Sequence, residues 1–193
     1  MKTRILTLFA VLAVLAASLA VPAIAANFKV DGTHSTVIFR VKHMNASYAY
    51  GRFNVISGTF AIDEANPAAS AFDFTIKTDS IDTADAKRDA HLKKADFFNA
   101  AQYPTITFKS TTVKAAAAKG TYDVTGDLNL HGVTKAITVK VEHSGTAKSM
   151  MGGTIAGIES TFTIKRSDFG MKGMIGPVGD DVTITLSAEG GVK

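Results

Sequence analysis

The sequence predicts an all-β fold, an eight-stranded antiparallel up-and-down barrel with a short helical segment near residues 84–101. Three observations carry the prediction. Apolar and polar residues alternate with period two in stretch after stretch, as they must where a strand has one dry and one wet face. Most links between those stretches are short and polar, which favours antiparallel neighbours. One segment, 82–104, breaks the alternation and has helical character instead.

Taken in order, the chain starts with Lys2 and Arg4, an unbroken run of apolar and small residues from Ile5 to Ala20, and Ala23-Ile24-Ala25. A basic start, a short apolar run and small residues at a cleavage point spell a secretory signal. The run is short for a membrane span of about 20 residues and ends at Pro22. Residues 1–25 are therefore expected to be a cleaved signal peptide, with Ala26 as the alternative cut, and 26–193 a single domain. Losing Lys2 and Arg4 lowers the formal charge of +4 by two, too little for a nucleic-acid partner. With no cysteine, the fold uses no disulfide and carries no lipid-modified cysteine.

Eight principal strands follow, at 35–43, 52–63, 70–78, 104–114, 119–130, 134–146, 155–167 and 181–189. Val37, Phe39 and Val41 alternate with Thr36, Arg40 and Lys42; Phe74 and Ile76 with Thr75 and Lys77; Leu128 with Asp127 and Asn129. The same period recurs at Ile137 and Val139, at Phe162 and Ile164, and around Ile184. Phe53 and Val55 differ in parity from Phe60 and Ile62, which predicts a β-bulge at Ser57-Gly58. Eight amphipathic antiparallel strands hide their edges by closing into a barrel. A two-sheet sandwich accommodates the same alternation but leaves the helical segment without a partner.

That segment has Asp82, Thr83 and Asp85 as N-cap oxygens, Lys93-Lys94 at its end, and Pro104 to stop it. A break near Lys94–Asp96 is expected, with Asp96 capping a second turn that carries Phe97 and Phe98. Counting strands up and down places this segment and the loop after Arg166 at one mouth, where they form either a lid over a ligand or an inert plug. The loop repeats glycine at 170, 173, 176 and 179 with Met171, Met174 and Ile175 between, a flexible apolar segment. In phase with the inward face, His43 and Arg166 reach this mouth. They serve as structural partners of loop carbonyls or as contacts for a polar or anionic head.

Catalytic and metal chemistry find no positive support. His34, His43, His91, His131 and His143 have no metal-ligand spacing, and no GxSxG elbow or paired base accompanies the serines. Asp168-Phe169-Gly170 lacks the other parts of a kinase. Neither a metal nor a resident cofactor is expected.

The motifs taken together resemble a known family. They are Asp31-x-x-His34-Ser35-x-Val37-x-Phe39-x-Val41-x-His43-Met44, Gly51-x-Phe53, Arg88-Asp89-x-His91-Leu92-x-x-x-Asp96-Phe97-Phe98, Tyr103-Pro104, Gly132-Val133-Thr134 and Arg166-x-Asp168-Phe169-Gly170. In order and spacing they are similar to the YceI-like, polyisoprenoid-binding periplasmic proteins, across essentially all of 26–193. Lys94-Ala95 departs from the Ser-Pro common in relatives. The resemblance implies a lipocalin-like barrel in the periplasm whose apolar channel holds an isoprenoid lipid or the tail of an isoprenoid quinone; with no catalytic spacing in the sequence, no enzymatic activity is expected. The expected lining comprises Val37, Phe39, Val41, Phe53, Phe74 and Ile76 from the first half of the barrel. Ile106, Phe108, Leu128, Ile137, Val139, Phe162, Ile164 and Ile184 follow from the second, with His43, Phe97, Phe98, Arg166 and Phe169 at the mouth. A binding barrel, a barrel enzyme on an apolar substrate and a structural barrel with a filled core remain the three classes to separate. Transient membrane contact for ligand exchange and a homodimer are both compatible with the sequence.

Overall fold

In the computed structural model, which describes residues 26–192, alternation closes into a single antiparallel ring. The strands are β1 (Asn27–Val30), β2 (Thr36–His43), β3 (Ser47–Phe53), β4 (Ile56–Ala61), β5 (Ala71–Lys77), β6 (Ile81–Asp82), β7 (Thr105–Ala115), β8 (Thr121–Leu130), β9 (Val133–Lys148), β10 (Thr154–Lys165) and β11 (Val178–Val192), with one helix, α1 (Ala86–Leu92). Six of these are halves of three broken strands. β1 and β2 both pair with β11, β3 and β4 pair with β2 and β1, and β5 and β6 pair with β4 and β3. Counted so, the ring has the eight strands expected, all antiparallel to their neighbours. The proposed cleavage at 25 lies outside the described residues.

Two strand details differ from the expectation. The parity change falls at Asn54-Val55, not at Ser57-Gly58: Phe53 and Ile56 are both buried while Val55 is 42% exposed. The break is held from β5–β6, where Ser80 accepts from the Asn54 N–H at 3.0 Å and its hydroxyl accepts from the Val55 N–H at 3.1 Å. Gly58 is instead a close approach, with φ +143° and space for a Cβ only 2.0 Å from the Asp73 carbonyl. Residues 47–51, expected in a loop, extend β3. Their polarity is inverted, because Tyr48 and Tyr50 point out and Ala49 and Gly51 point in, so alternation could not report the strand. Gly51 is needed there: the Phe39 ring lies where a Cβ would meet it at 2.3 Å.

The inner face is apolar, and the far end is filled by Phe28, Phe60 and Phe72, with the first two rings stacked at 5.4 Å. The outer face is wet. Cross-strand pairs Asp73–Lys109, Asp123–Lys140 and Lys165–Asp181 sit on it at 3.7, 2.8 and 2.7 Å. This polarity is the reverse of a barrel that faces lipid with its outer wall.

α1 and the turns after it cover the opposite end. Asp85 is the N-cap chosen from the three candidates, accepting from the Arg88 N–H at 2.9 Å. Arg88 and Asp89 then clamp Thr83 from both sides: Arg88 donates to its hydroxyl and carbonyl, while Asp89 accepts from its N–H and hydroxyl. The helix stops at Leu92. Asp96 caps no second turn; its carboxylate faces His91 Nε2 at 3.2 Å, and Phe97 and Phe98 follow in a chain of tight turns.

Candidate ligand channel

Two cavities lie along the barrel axis and share a waist. The one beneath the mouth, about 140 Å³, is lined by Phe39 and Val41 of β2, Phe53 of β3, Ile164 of β10 and Val182 of β11. Leu92, Phe97, Phe98, Arg166 and Met171 close it from above. The deeper one, about 70 Å³, is lined by Ile56, Phe72, Phe74, Phe108, Val139, Val141, Ile158 and Leu186. Val37, Ile76, Ile106, Leu128, Phe162 and Ile184 border both, so together they make one channel with a constriction. Cavities of this size with apolar walls stay dry and admit apolar molecules.

The lid is aromatic on its inner side. Phe98 meets Phe53 edge-on at 5.5 Å and approaches Phe39 at 6.4 Å, while Phe97 packs edge-on against His91 at 5.0 Å. Both phenylalanines line the channel because the turns after Leu92 fold back on α1. The Phe98 N–H donates to the Leu92 carbonyl at 2.9 Å.

Polar groups in the wall are turned to protein partners. Arg166 is 4% exposed, yet it donates Nε to Gly179 O at 2.9 Å, Nη1 to Met171 O and Gly173 O at 3.0 and 2.7 Å, and Nη2 to Val178 O at 3.0 Å. Burial pushes the guanidinium below its ordinary value, and Asp180 acts in the opposite sense. Asp180 is itself held by Ser167, whose N–H and hydroxyl donate at 2.9 and 2.8 Å and keep the carboxyl below the usual range. Deeper in, Ser160 donates its hydroxyl to Lys140 O at 2.6 Å. Among the described residues, no carboxylate, imidazole or thiol lines either cavity.

Most expected lining residues meet at this channel, but three do not. His43 is exposed at the end of β2, since pairing with Ser47 and Val178 leaves it on the rim outside the lid. Phe169 is buried, but beside β9. Pairing of β9 with β10 runs only from Thr154–Lys148 to Glu159–Glu142, and the turn Arg166–Phe169 docks on β9 above it. There His131 Nδ1 donates to Phe169 O at 3.1 Å, Lys135 Nζ lies 6.0 Å from the Phe169 ring, and Lys135 pairs with Asp168 at 3.6 Å. Ile137, on the same part of β9, packs against the core outside the channel wall. Sequence reading missed Ile56 because the bulge was misplaced, and Leu92 and Met171 because neither lies on a strand whose parity reveals its direction. It also missed a surface group, Asp31, His34 and Glu189, whose ligand atoms lie within 4.8 Å of one another outside the channel.

The profile of the YceI-like domain matches residues 28–190. The chain belongs to the YceI-like family. Among its YceI-like relatives, a UPF0312 protein of Pseudomonas paraeruginosa and Protein YceI of Escherichia coli O157:H7 are each 45% identical over 170 residues, covering 87% of this chain and 88% of theirs. In three dimensions, BcnA of Burkholderia cenocepacia superposes with a TM-score of 0.75 at 27% identity, over 83% of this chain and 98% of that one. A polyisoprenoid binding domain from Saccharophagus degradans shares the fold at 17% identity, with a TM-score of 0.67 over 88% and 99% of the two chains.

Proposed function

We propose that this YceI-like protein is an exported, periplasmic lipid-binding barrel. It holds a long isoprenoid chain, a polyprenyl lipid or a quinone tail, for transport, storage or sequestration and leaves it chemically unchanged. The observation that carries the reading is the channel itself: lined by apolar residues from lid to floor, with Thr107, Ser160 and Arg166 the polar residues that border it and the last two bonded to backbone carbonyls and not to the lumen. Such a wall rewards apolar length, at about 0.8 kcal/mol for each methylene buried. It supplies no acid, base or nucleophile to a reacting bond. The name of the Saccharophagus degradans domain points the same way. A tail that runs past the upper cavity displaces the waist side chains, which are aliphatic apart from Phe162 and free of hydrogen bonds of their own.

Delipidated protein titrated with prenols and isoprenoid quinones of increasing length tests this reading. A ligand that binds only the folded state raises stability by about 2.7 kcal/mol at 100 times its Kd, so the melting temperature should climb with chain length until the channel is filled. No rise with any prenol or quinone contradicts it. The N-terminus of the exported chain should lie at Ala26 or Asn27; a membrane-held chain that retains residues 1–25 contradicts the export reading.

A further inference from the structure

The lidded end of the barrel is apolar on its outside as well. Met44, Met174 and Ile175 are exposed by 62%, 53% and 47%. They form one rim, because the Met44 N–H donates to Pro177 O at 2.7 Å and Ile175 bridges to Val178, the partner of His43. The same loop presses on the turns after α1, where a Cβ on Gly173 would fall 2.4 Å from the Asp96 carbonyl. Met44 and Met174 both have left-handed backbone, φ 51° and 52°, a region that asparagine or glycine occupies at lower cost. The chain thus holds two thioethers outward against local preference.

Each acid around this rim is engaged by a protein partner. Asp85 accepts from Arg88 N–H, Asp89 from Thr83, Asp96 faces His91, Asp168 pairs with Lys135, Asp180 accepts from Ser167 and Asp181 from Lys165. These are all the acids of segments 42–48, 83–104 and 166–181. Among the described residues Lys93, Lys94 and Lys172 enter no ion pair, and Lys42 lies over the Tyr48 ring at 4.6 Å.

We propose that this rim docks the mouth onto an anionic lipid bilayer, with Met44, Met174 and Ile175 in the headgroup–acyl boundary and Lys42, Lys93, Lys94 and Lys172 among the lipid phosphates. Exposed apolar side chains on the same end of the barrel as lysines that enter no ion pair match that surface in both its terms. The purpose rests on the lipid-holding reading, since a cargo insoluble in water leaves a membrane by contact. The surface itself does not. At the far end Met150 and Met151 are exposed by 104% and 98%, but on a hairpin tip whose Lys148 is turned to Thr154, so that tip is the internal control.

Protein beginning at Ala26, which retains every strand of the closed ring, is sedimented with phosphatidylglycerol and with phosphatidylcholine vesicles. Binding is expected with the first, weaker with the second, and reduced at about 1 M salt, where charges are screened within about 3 Å. The triple variant Met44→Ser, Met174→Ser, Ile175→Ser and the charge variant Lys93→Glu, Lys94→Glu, Lys172→Glu should each bind at least ~tenfold less. Met150→Ser with Met151→Ser should bind as the parent does. Parent-level binding by the triple and charge variants, or loss in the hairpin variant alone, overturns the proposal. So does a stable dimer that the triple variant dissolves, which would make the rim a contact between copies. Should the triple variant melt early, the charge variant decides. Native mass spectrometry of the same samples keeps the two readings apart: vesicle binding lost with cargo retained supports docking, whereas rim-dependent vesicle binding by a protein that takes up no cargo sinks only the cargo reading.

Discussion

The Arg166 guanidinium donates to the Gly173 carbonyl at 2.7 Å, and its further bonds to Met171, Val178 and Gly179 tie both arms of the mouth loop to the end of β10. A cation that lines an apolar channel is thereby committed to backbone and acts on the ligand through the shape of the loop. Arg166→Lys keeps the charge and loses the fork, so it should destabilise the barrel by about 2–4 kcal/mol through carbonyls left without donors. Urea unfolding at constant m-value and faster hydrogen exchange over 171–179 would register it.

Asp180 adds a pH dependence to the same loop. Its carboxyl is held below the usual range by the Ser167 N–H and hydroxyl, so its contribution is present above the unfolded value of about 3.9 and is lost as pH falls through the folded value. The stability difference between the parent and Asp180→Asn should therefore be greatest at neutral pH and shrink below about pH 4. Melting temperatures across that range measure it.

Phe98 closes the channel against Phe53 and is only partly buried. Phe98→Ala should cost less than the roughly 3–5 kcal/mol of a fully buried phenylalanine while releasing a bound prenyl chain roughly tenfold faster. Ligand transfer to acceptor vesicles gives the rate. A large stability loss with unchanged release would make Phe98 core and not lid.

Leu128 borders both cavities, so Leu128→Phe narrows the waist. Overpacking should cost about 1–3 kcal/mol. Long prenyl chains should lose affinity and short ones keep it, as a titration by chain length would reveal.

How far the sequence carried the reading depended on parity. Val37, Phe39, Ile106, Leu128 and Ile184 border the cavities, the inward face that unbroken alternation predicts for them. Where the chain leaves regular strand, direction was lost. Ile56 was hidden by a bulge three residues before the expected one, β3 by outward tyrosines and an inward glycine, and Phe169 by a turn that ends the phase of β10. His43 kept its phase yet stands outside the lid, since parity fixes a face but not whether a loop covers it. Arg166 was recognised as buried. Its four carbonyl partners come from the loop it holds, and no local pattern encodes them.

Native mass spectrometry of mildly purified protein, followed by organic extraction, tests the central claim most directly. A chain that is nearly insoluble in water leaves such a channel slowly, so the account predicts a discrete added mass built on five-carbon units and recovered chemically unchanged. Protein that carries no added mass and takes up no prenyl lipid or quinone on incubation would contradict it, as would a prenyl ligand recovered in altered form.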